Sequence, residues 1–118
     1  QIITEGEFLC ELCDSCDVGF LLDLAHAFVS SVNKRTSVNA YISSLPLSRL
    51  LQIHICQPTI TGPFSAVDAH DAPSDPWLNW AVTMANTSGK PVPITVEYYR
   101  DVMTLIDTLT KLKAIISS

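Results

Sequence analysis

Residues 18–27 read VGFLLDLAHA. Val18, Phe20, Leu21 and Leu22 form an apolar run of strand type that stops at Asp23, and His26 follows three residues later. A carboxylate and an imidazole at the end of a buried strand are unfavourable unless they bind something or each other. Two later stretches repeat the pattern. LLQIHICQP (50–58) sets His54 in an apolar run, and PITVEYY (93–99) sets Glu97 in another. Three strands therefore each deliver a possible metal ligand.

Helical patterns separate these strands. Thr4-Glu5-Gly6-Glu7 reads as a capping box, opening a helix that runs to about Ser15. The first strand covers about 18–24. Residues 28–33 are ambiguous, a loop or an irregular turn over a sheet. Thr36 or Ser37 caps a second helix with Val38, Tyr41, Ile42 and Leu45 on one face, and Leu45-Pro46 ends it. The second strand covers about 50–56. A long loop is expected over 57–73, holding Pro58, Gly62, Pro63 and the run Asp68-Ala69-His70-Asp71; loops of that length inside a domain tend to be functional. Ser74 or Asp75 caps a third helix whose apolar side is Trp77, Trp80, Ala81 and Met84, and Gly89 stops it. A third strand covers about 92–98. The last helix spans about 101–116, with Val102, Leu105, Ile106, Leu109, Leu112 and Ile116 in helical period.

The order α-β-α-β-α-β-α predicts an α/β fold with a parallel sheet, in one domain over residues 1–118. Short apolar strands fit burial on both faces. Right-handed crossovers place Asp23, His54 and Glu97 on the edge formed by the strand C-termini, where α/β folds build their sites.

Composition narrows the function. With 47% hydrophobic and 16% charged residues among 118, the chain should fold. A formal net charge of -5 without a Lys/Arg cluster disfavours nucleic acid and anionic membrane surfaces. The longest apolar runs fall far short of the ~20 residues of a membrane span. The sequence begins at Gln1 without a secretory pattern and opens directly onto a helix cap, so a fragment or processed chain is expected. Of four cysteines, Cys10, Cys13 and Cys16 form C-x-x-C-x-x-C. That spacing occurs in zinc and iron–sulfur sites. On a helix, however, it rotates the thiols progressively, and Cys13 and Cys16 interleave with Phe8, Leu9 and Leu12 as small buried hydrophobes. The absence of a disulfide framework fits a reducing, cytoplasmic compartment.

The candidate donors are Asp23, His26, His54, Asp68, His70 and Glu97, with Asp71 beside them. A mixed N/O set suits iron, manganese or zinc, and the lack of a loop cysteine argues against a thiolate site. Each residue also has a plainer reading. Asp23 would cap a following turn, and His26 and His54 would be hydrogen-bonded wall or core histidines. Asp68, His70 and Asp71 would be solvated, and Glu97 would pair with Arg100. Asp14, Asp17, Asp101 and Asp107 read as surface or capping residues, and Trp77 and Trp80 as core or interface.

The segments LLDLAHA, LQIHICQP, VDAHDAP and ITVEYYR, in this order and spacing, resemble the C-terminal half of the DUF692 family. This is a group of multinuclear non-heme iron-dependent oxidative enzymes of methanobactin-biosynthesis type. The helix TEGEFLCELCDSCDVG resembles that family too, so the likeness covers nearly the whole chain. The resemblance implies part of a TIM-type, xylose-isomerase-like (β/α)8 barrel. It implies two or three iron ions at the C-terminal edge, and dioxygen-dependent modification of cysteines in ribosomally made peptides, often presented by a small partner protein. By the same resemblance Asp23 is the bridging carboxylate, His26 the imidazole three residues on, and His54 the strand histidine. Asp68 and His70 are the loop pair, and Glu97 is the late-strand glutamate.

The departures are specific. The family's Gly-His after the strand histidine is replaced within Cys56-Gln57-Pro58, and Tyr99 stands where an acidic residue is common. The N-terminal half, which supplies two histidines and a glutamate, is missing from a barrel that needs about 250 residues. Three strands leave two open sheet edges that invite pairing. A longer chain, a second chain completing the barrel, or a dimer of two copies would supply the rest. Two other functions stay open: sugar isomerisation or phosphodiester hydrolysis on a related metal-dependent barrel, and a non-catalytic, self-associating half-barrel. Arg35, Arg49 and Arg100 are scattered, which disfavours a phosphate grip.

Overall fold

The computed structural model describes residues 4–118; residues 1–3 of the expected domain lie outside the described residues. Helix α1 spans Glu5–Cys16, with the Thr4 hydroxyl accepting from Glu7 N at 3.1 Å. It ends at Asp17, which adopts φ 52°. Arg49 ties this end down, donating to Asp14 at 3.3 Å and Asp17 at 2.7 Å. Strand β1, Phe20–Asp23, runs straight into helix α2, Leu24–Asn33. Ser37 caps helix α3, Val38–Ser43, and a 3-10 turn, Leu47–Arg49, leads into strand β2, Leu50–Ile55. Strands β3, Gln57–Gly62, and β4, Ser65–Asp71, follow. Helix α4, Asp75–Thr87, precedes strand β5, Ile94–Val96, and helix α5, Val102–Ile116, closes the chain. No described helix is long and apolar enough to cross a membrane.

The fold is mixed α/β. Strands β1, β2 and β5 form a parallel sheet in that order. Leu22, Ile53, Ile55 and Val96 point to one face and join a core with Leu24, Ala27, Leu78, Ala81 and Leu112 from the helices. The alternate positions Leu21, Gln52, His54 and Thr95 lie on the opposite face, half-buried or exposed. So only one face is covered by helices, whereas the apolar strands predict burial on both. The Cα radius of gyration is 14.9 Å, against ~13.5 Å expected of a globule of this length.

Three local expectations are corrected. Residues 28–33 are not a loop but the body of α2. Val29, Ser30, Ser31 and Val32 are weak helix formers, so the segment depends on its Asp23 cap and on burial of Leu24, Ala25 and Ala27. Residues 57–73 are mostly an antiparallel hairpin, β3–β4, turning at Pro63-Phe64. Cys13 is buried as expected, but Cys16 is exposed, as are Phe8 and Leu12. On α5 the buried line is Thr108 and Leu112 with Leu105 and Ile115, while Val102, Ile106, Leu109 and Ile116 face outward.

Gly6 marks where α1 crosses the end of α3. A Cβ there would lie 2.6 Å from the backbone oxygen of Ser44. Helix propensity alone favours Ala over Gly by about 1 kcal/mol, so Gly6→Ala separates the two effects. Its denaturation midpoint should fall; an unchanged or higher midpoint would show that α1 can move away from Ser44. At α5 the Asp101 carboxylate accepts from Thr104 N at 3.0 Å, and the Thr104 hydroxyl and amide hold its pKa below the ordinary value. A lowered folded pKa gives stability that is present above the unfolded pKa and lost as pH falls through the folded one. Asp101→Ala should therefore be less stable than the parent at neutral pH, with the gap closing below about pH 4. Thermal melts at both pH values check this, and a gap independent of pH would sink it.

Candidate metal centre

Parallel register brings the strand-end residues together. Asp23 lies opposite His54, and His54 opposite Thr95. The ladder continues one step past β5, where Glu97 N donates to Ile55 O at 2.9 Å. Asp23, His54 and Glu97 therefore share the C-terminal end of the sheet, on the face away from the helical core. Below them Gln52 Nε2 donates to Thr95 Oγ1 at 2.7 Å, so this face stays polar one layer down.

His54 Nδ1 and Glu97 Oε1 are 2.9 Å apart. With Nδ1–H donated to the carboxylate, Nε2 keeps its lone pair for a further ligand, the arrangement metal-binding histidines use. The expected alternative, a Glu97–Arg100 pair, does not form. Arg100 instead donates to the Asp71 carboxylate and to His70 O at 3.3 Å. That contact takes Asp71 out of the donor set and fastens the hairpin to the chain after β5.

Asp23 has a structural duty as well. Its Oδ1 accepts from His26 N at 2.9 Å and caps α2. The plainer reading of Asp23 as a cap is thus correct, and Oδ2 is left to take a ligand. Burial raises its pKa above the ordinary carboxylate value, and the charges of Asp68 and Glu97 push the same way against the His26 amide. His26 itself is exposed in the first turn of α2. It lines a groove with Asp23, Glu5 and Tyr41 beside β1, apart from the hairpin donors.

The hairpin delivers the remaining donors. Asp68 and His70 lie two apart on β4, with His70 Nε2 3.5 Å from Asp68 Oδ2. His70 adopts φ 52°, a left-handed conformation uncommon outside glycine. The Arg100 contacts to His70 O and Asp71 brace that turn of the backbone. Asn33 at the end of α2 holds the strand by two bonds to Ala66, accepting from its N at 3.0 Å and donating to its O at 3.4 Å.

Sequence reasoning missed Cys56. It is fully buried one residue beyond β2, and its Sγ donates to Asp68 Oδ1 at 3.2 Å. Donor atoms of Cys56, Asp68 and His70 all lie within 4.8 Å of one another. The signal was present as the changed residues after His54, but with 57–73 read as a loop nothing placed Cys56 against Asp68.

The donor chemistry fits a divalent metal. Asp23, Asp68 and Glu97 converge with His54 and His70, and among the described residues none of the three carboxylates pairs with Lys or Arg. Gathered carboxylates of this kind call for a cation.

Residues 1–117 match the family described as RiPP precursor modification enzyme MbnB/TglH/ChrH. A UPF0276 protein of Bordetella pertussis is 37% identical over 101 residues, covering 80% of this chain and 34% of the relative. UPF0276 proteins of Rhizorhabdus wittichii and Caulobacter vibrioides are 30% identical over 113 residues and 32% over 112. These alignments cover 94% and 93% of this chain but 40% and 39% of the relatives. The chain thus spans roughly a third to two-fifths of the length of these relatives. On the match across residues 1–117, the chain belongs to the MbnB/TglH/ChrH (DUF692) family.

Proposed function

We propose that this chain carries part of the metal centre of an iron-dependent oxidative enzyme that modifies cysteine residues of a ribosomally made peptide. The observation that carries the reading is the convergence of Asp23, Asp68 and Glu97 with His54 and His70 at one end of a parallel sheet, without a Lys or Arg pairing to the three carboxylates among the described residues. The matching family, described as modification enzymes of a RiPP precursor, supports the substrate class.

In this reading Asp23, His54, Asp68, His70 and Glu97 are the converging ligands, and His26, exposed beside Asp23 in the first turn of α2, is the outlying member of the set. Iron, when bound, supplies the redox chemistry with dioxygen. The chain's own residues fix the donors. Glu97 orients His54 through Nδ1, the α2 cap fixes Asp23, and Arg100 braces the backbone at His70. The three parallel strands are part of a TIM-type barrel, and further strands continue the open edges of β1 and β5. We take those strands to come from the rest of a longer chain, with a second chain or a second copy as the other routes. A small partner protein presents the peptide. The four free cysteines suit a reducing, cytoplasmic setting.

The test is metal content by elemental analysis on full-length protein purified anaerobically from iron-supplemented cells. Asp23→Asn keeps an N-cap of equal quality, so it separates ligand loss from loss of α2. The parent should carry roughly one iron or more per chain, with Asp23→Asn and His54→Ala each lowering metal affinity about tenfold or more. Full iron retention in both variants, or a metal-free parent, would overturn the reading.

A further inference from the structure

Cys56 is the donor that neither the mixed N/O ligand set nor the resemblance uses. Its thiol is fully buried, and its nearest polar neighbour is a carboxylate of the site, with Sγ 3.2 Å from Asp68 Oδ1. Asp68 is the hinge of the group, because its other oxygen, Oδ2, is 3.5 Å from His70 Nε2. Sulfur, carboxylate and imidazole donors within 4.8 Å of one another match the spacing of ligands around one tetrahedral ion. Two different elements fix the triad, since Cys56 follows the central strand of the sheet while Asp68 and His70 come from the hairpin. Its position is therefore set by the core and by the Asn33 and Arg100 ties, and not by a surface loop.

Asp68 meets the sulfur directly, and Asp23 and Glu97 stand near it, so the groups gathered around Cys56 are carboxylates. A bound cation offsets their charge, and a coordinating thiol is deprotonated outright.

We propose that the Cys56 thiolate is a metal ligand in this chain, together with Asp68 and His70, making the centre a mixed S/N/O site. The proposal rests on the metal-centre reading above and deepens it. On binding, the metal–sulfur bond forms as the Sγ proton, now given to Asp68, leaves to solvent; no oxidant or reductant is involved. A thiolate softens the site, which then favours iron, cobalt or zinc over magnesium, calcium or manganese.

Cobalt(II) titration of the purified, metal-free full chain, followed by absorption spectroscopy, tests this. The expected result is a thiolate-to-cobalt charge-transfer band in the near ultraviolet, accompanied by visible d–d bands and insensitive to excess magnesium. Cys56→Ser should abolish the charge-transfer band while d–d bands persist, with affinity lowered about tenfold. A second variant makes the test independent of how Cys56→Ser folds. With Cys10→Ala, Cys13→Ala and Cys16→Ala combined, Cys56 is the remaining one of the four cysteines of this sequence, and the band should stay. Visible bands without charge transfer in the parent, or a band that survives Cys56→Ser or disappears from the triple variant, would overturn the thiolate ligand and leave an N/O centre standing. Failure of the parent to bind cobalt at all would overturn both readings.

Discussion

Everything at the functional end of this molecule depends on the parallel register of β1 and β2, which sets Asp23 directly opposite His54. A slip of one residue would turn Asp23 toward the helices and expose Leu22, which the core buries completely. The hydrophobic pattern of the strands and the position of the donors are therefore one constraint. Burial of Leu22, Ile53, Ile55 and Val96 on the helical face obliges Asp23, His54 and Glu97 to share the other. The core energy of the fold is what holds mutually repelling carboxylates together.

Much of this was legible in the residues. Thr4, Ser37 and Asp101 announce their helices because a side-chain oxygen before an apolar period has a specific task, satisfying an unpaired amide. The three parallel strands follow from short apolar runs between helical periods. Two kinds of information were not legible. One is which of two readings a residue takes when both apply: Asp23 is a cap and also sits at the site, while Glu97 turns to His54 because Arg100 is engaged by the hairpin. The other is the hairpin itself. Thr59-Ile60-Thr61 and Ala66-Val67 carry β-branched residues, but Ile60 and Val67 stay exposed while the small Ala66 is buried, so no apolar stripe marks the strands. Without the hairpin, Cys56 cannot be placed against Asp68, since that contact bridges 12 residues.

The uncovered sheet face and the exposed stripe of α5 belong to the same physical account. Val102, Ile106, Leu109 and Ile116 on α5, and Phe8 and Leu12 on α1, are apolar side chains on the first and last helices of the chain. The interior helix α4 and strand β2 instead bury Leu78, Ala81, Ile53 and Ile55 completely. Burial thus runs highest in the middle of the layered order and falls toward both ends. A chain spanning about a third to two-fifths of its relatives' length would show that gradient wherever neighbouring units normally cover its outermost helices.

The hairpin is the part of the site that the sheet does not hold directly, and its attachments explain how it can carry two donors with fixed geometry. Asn33 pairs with the backbone of Ala66, Gln57 Oε1 accepts from Ser74 N at 2.8 Å, and Arg100 grips His70 and Asp71. These ties come from the end of α2, the exit toward α4 and the segment after β5, so they constrain the hairpin from three directions. The left-handed backbone at His70 is uncommon outside glycine, and these ties help to hold it. The Arg100 contacts therefore reach the site at one remove. They set the backbone that aims the His70 ring at Asp68, and Asp68 in turn meets Cys56, so one guanidinium links the segment after β5 to the donor group at the end of β2.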